Sequence, residues 1–467
     1  MENTKPPSRR QFLKLSGLAG AASLLPASKS VAASSAQAAG PAKNLIFLMV
    51  DGLCNGTVGL AHHWKLRHEQ TPLNWIQLFE RVDFKRAYQE TASASSPVTD
   101  SAAAASSWGS GQRVNNGSIN VNASGQSLKP ILSYAKEAGK ATGLVTTCRI
   151  THATPAGFAA NVTDREMEDQ IALQYLEREV DVLLGGGARN FKQKQDDGSV
   201  IDYLPRFKEK GYDVVTNAAE LAASHGQSPL IGLFSKSHIP YAIDRKNDPS
   251  LHDLPGLSDM FRKALARLDG QKDGFVLQVE GGRVDHAGHA NDPAAILHEF
   301  LEFDACIAIA LEFIEAHPDT MLIVTTDHGT GGCQLNGAGP LYVDSGSALE
   351  RIDQFKYSFE WLQDQFRATG RFHSLPLKIA LGIDATDEQA AIVQAALDSN
   401  AEYLSGALNE AFGKEIKDLT AVGWTSSKHT SECVDFFAFG PGSEAIPPFL
   451  KNYELFGVMT SALGLKV

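Results

Sequence analysis

Cysteine is sparse in this sequence and follows no pairing pattern. The five cysteines are Cys54, Cys148, Cys306, Cys333 and Cys433, and no two of them form a Cys-x-x-Cys pair. An odd number without close spacing excludes a disulfide framework and a cysteine-rich zinc site. One disulfide bond is compatible with an oxidising compartment, and the sequence leaves its pairing open.

The chain also lacks an excess of positive charge. It has 42 Lys and Arg against 54 Asp and Glu, a formal net charge of −12. Without a basic surface, nucleic acid is excluded as a specific partner. An anionic substrate stays compatible with this charge, because bound divalent cations can reverse the local field. The length of 467 residues allows one large α/β domain that carries insertions.

No apolar run is long enough to span a bilayer as a permanent helix. Residues 8–14 instead form a twin-arginine pattern, followed by a weakly apolar run at 15–25 and small residues. This order predicts a cleaved Tat signal and flexible mature start over 1–39, before a domain over 40–467. We therefore expect export by the Tat machinery to the periplasm or outside the cell. Because Tat substrates fold before export, a core independent of disulfide bonds fits this route.

From residue 44 onward, short apolar runs alternate with amphipathic segments. Strands are predicted at 44–50, 141–147, 180–184, 229–233, 274–280, 320–326 and 434–440. Helices are predicted at 127–138, 164–179, 257–268, 294–316 and 451–463. This alternation predicts an α/β fold with a large, mostly parallel central sheet. Continuous rather than alternating apolar runs indicate strands covered by helices on both faces.

Residues 333–425 form a distinct block between two predicted strands. They contain helical patterns near 357–367, 386–398 and 400–413, and no cluster of residues typical of catalysis. We interpret this block as an inserted helical subdomain or cap, whose role the sequence leaves open.

Three acidic residues close predicted buried strands: Asp51, Glu280 and Asp327. Side chains at the carboxyl ends of parallel strands can converge, and converging carboxylates repel one another unless cations lie between them. His328 follows Asp327 directly, and residues 285–289 read Asp-His-Ala-Gly-His. Mixed nitrogen and oxygen ligands favour borderline metals such as zinc. The pattern therefore predicts a hydrolase with several metal ions.

Ser101 precedes the alanine run 102–105, a strong helix former. Taken alone, Ser101 or its neighbour Asp100 is more often a helix cap than a functional residue. The alternative is a nucleophile, because a helix N-terminus stabilises negative charge on an oxygen and a metal ion lowers the pKa of a hydroxyl.

Eight strings in this order resemble the alkaline phosphatases over roughly 44–330 and 423–442. They lie at 47–52, 98–103, 152–156, 182–187, 279–282, 285–289, 325–329 and 428–430. The resemblance implies the alkaline-phosphatase fold, with two Zn²⁺ and one Mg²⁺. Its implied ligands are Asp285, His289 and His429 for one zinc, Asp51, Asp327 and His328 for the other, and Asp51, Thr154 and Glu280 for magnesium.

The same resemblance implies that Ser101 is the nucleophile and that Arg165, eleven residues after Thr154, binds phosphate. His152 and His286 stand behind the ligands, where some bacterial members have Asp and Lys, and resemble animal-type members. Magnesium affinity is left open by these two imidazoles. Homodimers are usual in the family, so a homodimer is expected.

The expected activity is hydrolysis of phosphate monoesters through a phosphoserine intermediate. One alternative is a phosphodiesterase or another hydrolase of the same superfamily; a sulfatase is disfavoured because the Cys-x-Pro-x-Arg motif is absent. Another alternative is a periplasmic phosphate-binding or metal-binding protein without turnover. A phosphatase assay with and without chelator separates these alternatives.

Overall fold

The computed structural model describes residues 41–194 and 198–467, so the predicted signal segment 1–39 lies outside the described residues. Ten strands form one sheet: β1 (Asn44–Val50), β2 (Lys85–Glu90), β3 (Ala141–Arg149), β4 (Val182–Gly186), β5 (Asp213–Val215), β6 (Leu230–Leu233), β7 (Phe275–Gly281), β8 (Thr320–Thr326), β9 (Val434–Phe439) and β10 (Phe449–Lys451). Their spatial order is β10-β2-β9-β8-β1-β7-β3-β4-β6-β5.

The helices, in chain order, are α1 (Asn55–His68), α2 (Asn74–Glu80), α3 (Ser101–Ser110), α4 (Ile131–Glu137), α5 (Ala153–Ala159), α6 (Glu168–Glu177), α7 (Leu204–Glu209), α8 (Ala218–Ala223), α9 (Ala242–Asn247), α10 (Leu257–Leu268), α11 (Arg283–Ala290), α12 (Pro293–Ala316), α13 (Ser345–Ile352), α14 (Phe359–Thr369), α15 (Ser374–Leu381), α16 (Asp387–Asp398), α17 (Ser405–Thr420) and α18 (Glu454–Ala462).

The register of the central strands brings the three strand-end acids to one edge. β1 runs parallel to β8 on one side and to β7 on the other. Val50 lies opposite Thr326 of β8 and Gly281 of β7. Asp51 and Asp327, which follow directly, therefore leave the sheet side by side, next to Glu280.

The sheet is mixed but mostly parallel, as predicted. β9 is antiparallel to both of its neighbours, β8 and β2. Along the sheet from β8 to β5, each strand is parallel to the next one. β1 contributes Leu45, Phe47 and Met49 to one buried apolar cluster. Its alternate residues Ile46 and Leu48 belong to a second cluster. The two clusters confirm that helices cover the central strand on both faces.

The predicted insertion leaves and re-enters the fold at one place. Gln334–Leu335 pairs with Val422–Gly423 in a short antiparallel ladder. Between these ends lie α13 to α17, so the block is helical as predicted. Leu362 of α14 and Phe412 of α17 are fully buried and join the larger apolar cluster. The subdomain boundaries at 333 and 425 stay a prediction.

The described residues contain neither a membrane-spanning helix nor a disulfide bond. Within 41–194 and 198–467, no helix has the length and apolar character needed to cross a membrane. All five cysteines lie in these ranges, and each is a free thiol there.

Candidate active site

Ser101 is the first residue of α3, and its neighbour caps that helix. The backbone of Asp100 is extended, and its Oδ1 accepts a hydrogen bond from the backbone N–H of Ala103 at 2.9 Å. The Ser101 side chain is buried, and its Oγ lies 3.4 Å from Nε2 of His328. Because Asp100 is the cap, the Ser101 hydroxyl remains available to face the histidine.

Three buried side chains beside Ser101 form what we call the Asp327 group: Asp51, Asp327 and His328. One ligand atom from each lies within 4.8 Å of the others. His328 Nε2 is 3.6 Å from Asp51 Oδ1 and 3.2 Å from Asp327 Oδ2. Asp327 Oδ1 accepts hydrogen bonds from the backbone N–H groups of Gly52 and His328, which leaves Oδ2 to face the group.

The Asp285 group consists of Asp285, His289 and His429. Asp285 Oδ2 and Oδ1 each lie 3.5 Å from one imidazole Nε2. The Nδ1 atoms of His289 and His429 face the backbone carbonyls of Ser427 at 2.8 Å and Thr99 at 2.7 Å. Each Nδ1 therefore donates its hydrogen to a carbonyl, which leaves the two Nε2 atoms facing each other at 3.0 Å. A cation between them is a partner that both Nε2 atoms can share.

The Glu280 group is the set implied for magnesium: Asp51, Thr154 and Glu280. Glu280 Oε2 accepts a 2.5 Å hydrogen bond from Thr146 Oγ1, and the Thr154 carbonyl accepts one from Gln278 of β7. The structure adds a nitrogen, because a ring atom of His152 lies within 4.8 Å of the Asp51 and Glu280 oxygens.

Arg165 is held from two sides at the edge of these groups. Its Nη1 donates to Asp100 Oδ2 at 3.1 Å, and its Nη2 lies 3.1 Å from His152 Nε2. Asp100 Oδ2 also accepts the backbone N–H of Gly117 at 2.8 Å. The guanidinium is thereby fixed in one orientation close to Ser101, the neighbour of Asp100.

Burial and mutual repulsion control the ionisation of the carboxylates. Burial raises the pKa of Asp51 well above its usual range, and the charges of Asp327, Asp285 and Glu280 raise this pKa further. Burial raises the pKa of Asp327 to about 8 and that of Glu280 to about 7. Burial acts in the same direction on Asp285, but the surrounding imidazoles hold its pKa well below the usual range. The acids cannot all be ionised together unless cations balance them.

Several buried polar atoms at these groups have no hydrogen-bond partner among the described residues. They are both carboxylate oxygens of Asp51, Asp327 Oδ2, Glu280 Oε1, Thr154 Oγ1 and His152 Nδ1. Each such atom costs about 1–3 kcal/mol when left unsatisfied. Oxygen and imidazole ligands directed at common points are what bound metal ions require, so the residues fit metal ions.

Comparison with known proteins agrees with this geometry. A family model described as alkaline phosphatase matches residues 42–465. This chain belongs to the alkaline phosphatase family. Alkaline phosphatase 3 of Bacillus subtilis (strain 168) is 33% identical over 381 residues, 77% of this chain and 75% of that protein. The repressible alkaline phosphatase of Saccharomyces cerevisiae is 32% identical over 441 residues, 85% of this chain and 76% of that protein.

Solved structures of alkaline phosphatases confirm the predicted fold. The crystal structure of Thermus thermophilus alkaline phosphatase has a TM-score of 0.83 and 34% identity, covering 95% of this chain and 96% of that chain. A cold-active alkaline phosphatase from Shewanella sp. has a TM-score of 0.75 and 28% identity, covering 90% and 99%. Alkaline phosphatases are metal-dependent phosphoric monoester hydrolases, and the chain is an enzyme of this class.

The twin-arginine prediction is also confirmed. A family model of the twin-arginine translocation signal sequence matches residues 6–26. This alkaline phosphatase is therefore a substrate of the Tat machinery, which exports it to the periplasm or beyond. The homodimer stays a prediction.

Sequence reasoning overlooked supporting residues of this alkaline phosphatase site. Thr330 Oγ1 donates to Asp285 Oδ1 at 2.5 Å and lies 3.3 Å from His328 Nδ1, which links two ligand groups. The one sequence feature that pointed to Thr330 is its position two residues after His328. Thr146 supports Glu280 from the neighbouring strand β3, and only the strand register reveals this contact.

The two predicted supporting histidines take different places. His152 lies between Arg165 and the Glu280 group, as its contacts above show. His286 instead points elsewhere: its Nδ1 lies 3.1 Å from Arg283 Nη1 and 4.0 Å from Cys148 Sγ. Of these two histidines, His152 is therefore the one that contacts Arg165.

Proposed function

We propose that this chain hydrolyses phosphate monoesters to an alcohol and inorganic phosphate through a phosphoserine at Ser101. The observation that carries the proposal is the 3.4 Å approach of Ser101 Oγ to His328, within a group of converging, partnerless ligand atoms. The start of α3 supports it too, because a helix N-terminus stabilises an oxygen that becomes negative or carries phosphate.

The ligand groups support two zinc ions and one magnesium ion. Nitrogen and oxygen donors of the Asp285 and Asp327 groups suit zinc, and the oxygens of the Glu280 group suit magnesium. Two zinc ions held there would supply positive charge that lowers the pKa of a hydroxyl and balances the attacking and leaving oxygens. The His152 nitrogen beside the Glu280 group is a ligand that magnesium does not favour.

The chain's own residues perform the remaining steps. Each Nη of Arg165 carries two hydrogens, so one on each remains for the phosphate after Asp100 and His152 are engaged. Ser101 Oγ gives its proton to solvent and attacks phosphorus in line, and the leaving oxygen departs with the bonding electron pair and takes a proton from solvent to become the alcohol. Water then attacks the phosphoserine, which releases phosphate and restores the Ser101 hydroxyl.

The deciding experiment measures p-nitrophenyl phosphate hydrolysis with and without a chelator. We expect turnover to stop after chelation and to return with added Zn²⁺ and Mg²⁺. Unchanged turnover in the presence of the chelator would contradict the assignment of these groups as metal sites. Bis(p-nitrophenyl) phosphate is the matched substrate control, and faster cleavage of this diester than of the monoester would favour a phosphodiesterase instead.

A further inference from the structure

A fourth group of metal-binding side chains lies beside the site and takes no part in the proposed reaction. We call Cys148, His238 and His286 the Cys148 group, because one ligand atom from each lies within 4.8 Å of the others. The His238 and His286 rings are 4.4 Å apart at 73°, and each ring centre lies 5.6 Å from that of His152.

The distances are close to those of a tetrahedral metal site. Cys148 Sγ lies 4.0 Å from Nδ1 of His286. Typical bonds of about 2.3 Å to sulfur and about 2.0 Å to nitrogen at tetrahedral angles place these atoms roughly 3.5 Å apart. A contraction of about half an ångström, within reach of a small side-chain rotation, therefore closes the site on an ion.

Three separate elements supply the ligands. Cys148 is the penultimate residue of β3, His238 lies in the loop after β6, and His286 is on α11. Cys148 is fully buried and its backbone N–H donates to Thr146 Oγ1, whereas both histidines are partly exposed. The thiol is thus held in place, and the histidine side leaves a path by which an ion enters.

Two arginines border the Cys148 group, and both are compensated by carboxylates. Arg149 binds Glu168 through Nε at 2.7 Å and Nη2 at 2.6 Å. Its Nη1 contacts Nε2 of His238, and its backbone N–H donates to Nδ1 of the same ring at 3.3 Å, so a bound ion would displace one of these contacts. Arg283 donates from Nη2 to Glu360 at 2.7 Å, and its Nη1 lies 3.1 Å from Nδ1 of His286. Because these two ion pairs are neutral, the arginines add no net positive charge to the pocket.

The surroundings of His238 disfavour the protonated ring. Burial lowers the pKa of His238 well below its usual range, and the charges of His286, Arg283 and Arg149 lower it further. A neutral imidazole offers a lone pair, which a protonated ring does not.

We propose that Cys148, His238 and His286 bind a fourth divalent metal ion, of the class that accepts thiolate and imidazole ligands, such as Zn²⁺ or Co²⁺. Binding transfers the thiol proton of Cys148 to solvent, and the sulfur electron pair forms the bond to the metal. Two nitrogens and one sulfur exclude Mg²⁺ and Ca²⁺, which take oxygen ligands. The proposal is independent of the phosphatase mechanism, because none of the three residues belongs to the other groups.

Cobalt provides a spectroscopic test, because the three other groups contain only nitrogen and oxygen ligands. Chelator-treated protein is reloaded with Co²⁺, and its near-ultraviolet absorption and bound metal per chain are measured. We expect a sulfur-to-cobalt charge-transfer band in the wild type. In Cys148→Ser the band should vanish and one ion fewer should bind. A wild type without the band, or a Cys148→Ser variant that keeps it, would overturn the proposal.

Two further variants keep the test decisive if Cys148→Ser folds poorly. His238→Gln alters a partly exposed loop residue and should weaken the band and the fourth ion while the thiol remains; unchanged metal content and absorption would count against the site. Cys306→Ser is the matched control, since that buried thiol contacts Ser258 and the Glu302 carbonyl rather than a histidine. It should keep both signals. Phosphatase activity is read separately, so failure of either proposal leaves the other testable.

Discussion

At the residue scale, Asp100 and Ser101 divide two roles that a helix start often combines in one side chain. Asp100 caps α3 with Oδ1 and holds Arg165 and Gly117 with Oδ2. Ser101 is thereby spared from capping and can face His328. The alanine run predicted a helix cap at Ser101 or Asp100. The structure places the cap at Asp100.

Ser101→Ala should remove the covalent intermediate and lower kcat by roughly 10³-fold or more, the scale seen when a nucleophile is deleted from a catalytic unit. Acid quenching of labelled substrate, followed by mass analysis of the peptide, detects the phosphoserine. Ser110→Ala is the control in the same helix, since that hydroxyl donates only to the Ser106 carbonyl. Phosphate retained on the Ser101→Ala chain would rule out this nucleophile.

Arg165→Ala should reduce kcat/KM by at least about 10- to 100-fold, because even one of its two hydrogen bonds to the charged phosphate is worth about 1.5–3 kcal/mol. Arg165→Lys should fall between, since an ammonium keeps the charge and loses the planar fork. Asp100→Asn keeps an oxygen for the cap and loses the Oδ2 acceptor that Arg165 and Gly117 share, while Arg165 itself remains, so its loss should be smaller. Steady-state kinetics check the order, and an Arg165→Ala enzyme within twofold of wild type would refute the phosphate-binding role.

At the element scale, the start of α14 is fixed to the main body by buried carboxylates. Asp244 of α9 accepts hydrogen bonds from Ser358 N at 2.8 Å and Ser358 Oγ at 2.6 Å. Asp292, which caps α12, accepts the backbone N–H of Phe359 at 2.7 Å. The helical block between 333 and 425 is thus attached through charge and hydrogen bonds as well as through its apolar residues.

This attachment should weaken as pH rises from about 4 to about 7. Burial raises the pKa of Asp244 to about 7, although the Ser358 hydrogen bonds act against it. In that window the unfolded carboxyl, with an ordinary pKa near 3.8, binds fewer protons than the folded one, so the free energy of unfolding falls with rising pH. Denaturant titrations at several pH values should show this fall, to which Asp244 contributes at most about 1.4 kcal/mol per pH unit, so the slope should be smaller in Asp244→Asn.

The matched control for Asp244 is Asp248→Asn. Asp248 is partly exposed, and the Ser250 hydrogen bonds place its pKa below the ordinary value, so it does not bind extra protons in the folded state above pH 4. The control should therefore keep the wild-type slope. An Asp244→Asn slope equal to that of the wild type would show that this carboxyl does not take up a proton on folding.

The sequence predicted elements best where one physical signal dominated. Continuous apolar runs set the bounds of β1 and β8 without error. β2 was missed because half of Lys85–Glu90 is charged and half is exposed, which is the pattern of a loop rather than of a buried strand. The antiparallel direction of β9 depends on how the chain returns to the sheet, which no local pattern encodes.

Individual site residues show the same division. Asp51, Asp327 and His328 were predicted to meet, and the strand register brings them together. Arg165 contacts His152 across a separation of 13 residues, and His238 approaches Cys148 of β3 from a loop that is remote in sequence. Such contacts can be seen only in the folded structure, because each residue alone resembles an ordinary surface or core side chain.

At the scale of the whole molecule, bound cations should contribute to stability as well as to chemistry. Without them, the folded chain buries carboxylates whose pKa values are raised, Asp327 to about 8 and Glu280 to about 7. The metal-free protein should then lose stability as pH rises from about 4 to about 8, because the unfolded state binds fewer protons in that range. Ions that bind only the folded state add stability by mass action.

Chelation should therefore lower the Tm, and lower it more at pH 8.5 than at pH 6. Calorimetry with and without chelator at both pH values measures this difference. Asp327→Asn provides the comparison, because it removes one raised carboxyl, so the chelated variant should lose less stability between the two pH values. Equal chelator effects at pH 6 and pH 8.5 would show that these carboxylates are not responsible.

The central position of β1 has a consequence for biosynthesis. Asn44 pairs with Thr320 and Leu45 with Val276, so the earliest strand to emerge from the ribosome waits for partners translated much later. At about 5–20 residues per second this delay lasts roughly ten seconds or more. During that interval the nascent chain exposes an unpaired apolar segment next to its export signal, so we expect chaperones to bind it. Because the Tat translocase accepts folded proteins, export must wait until β7 and β8 have paired with β1.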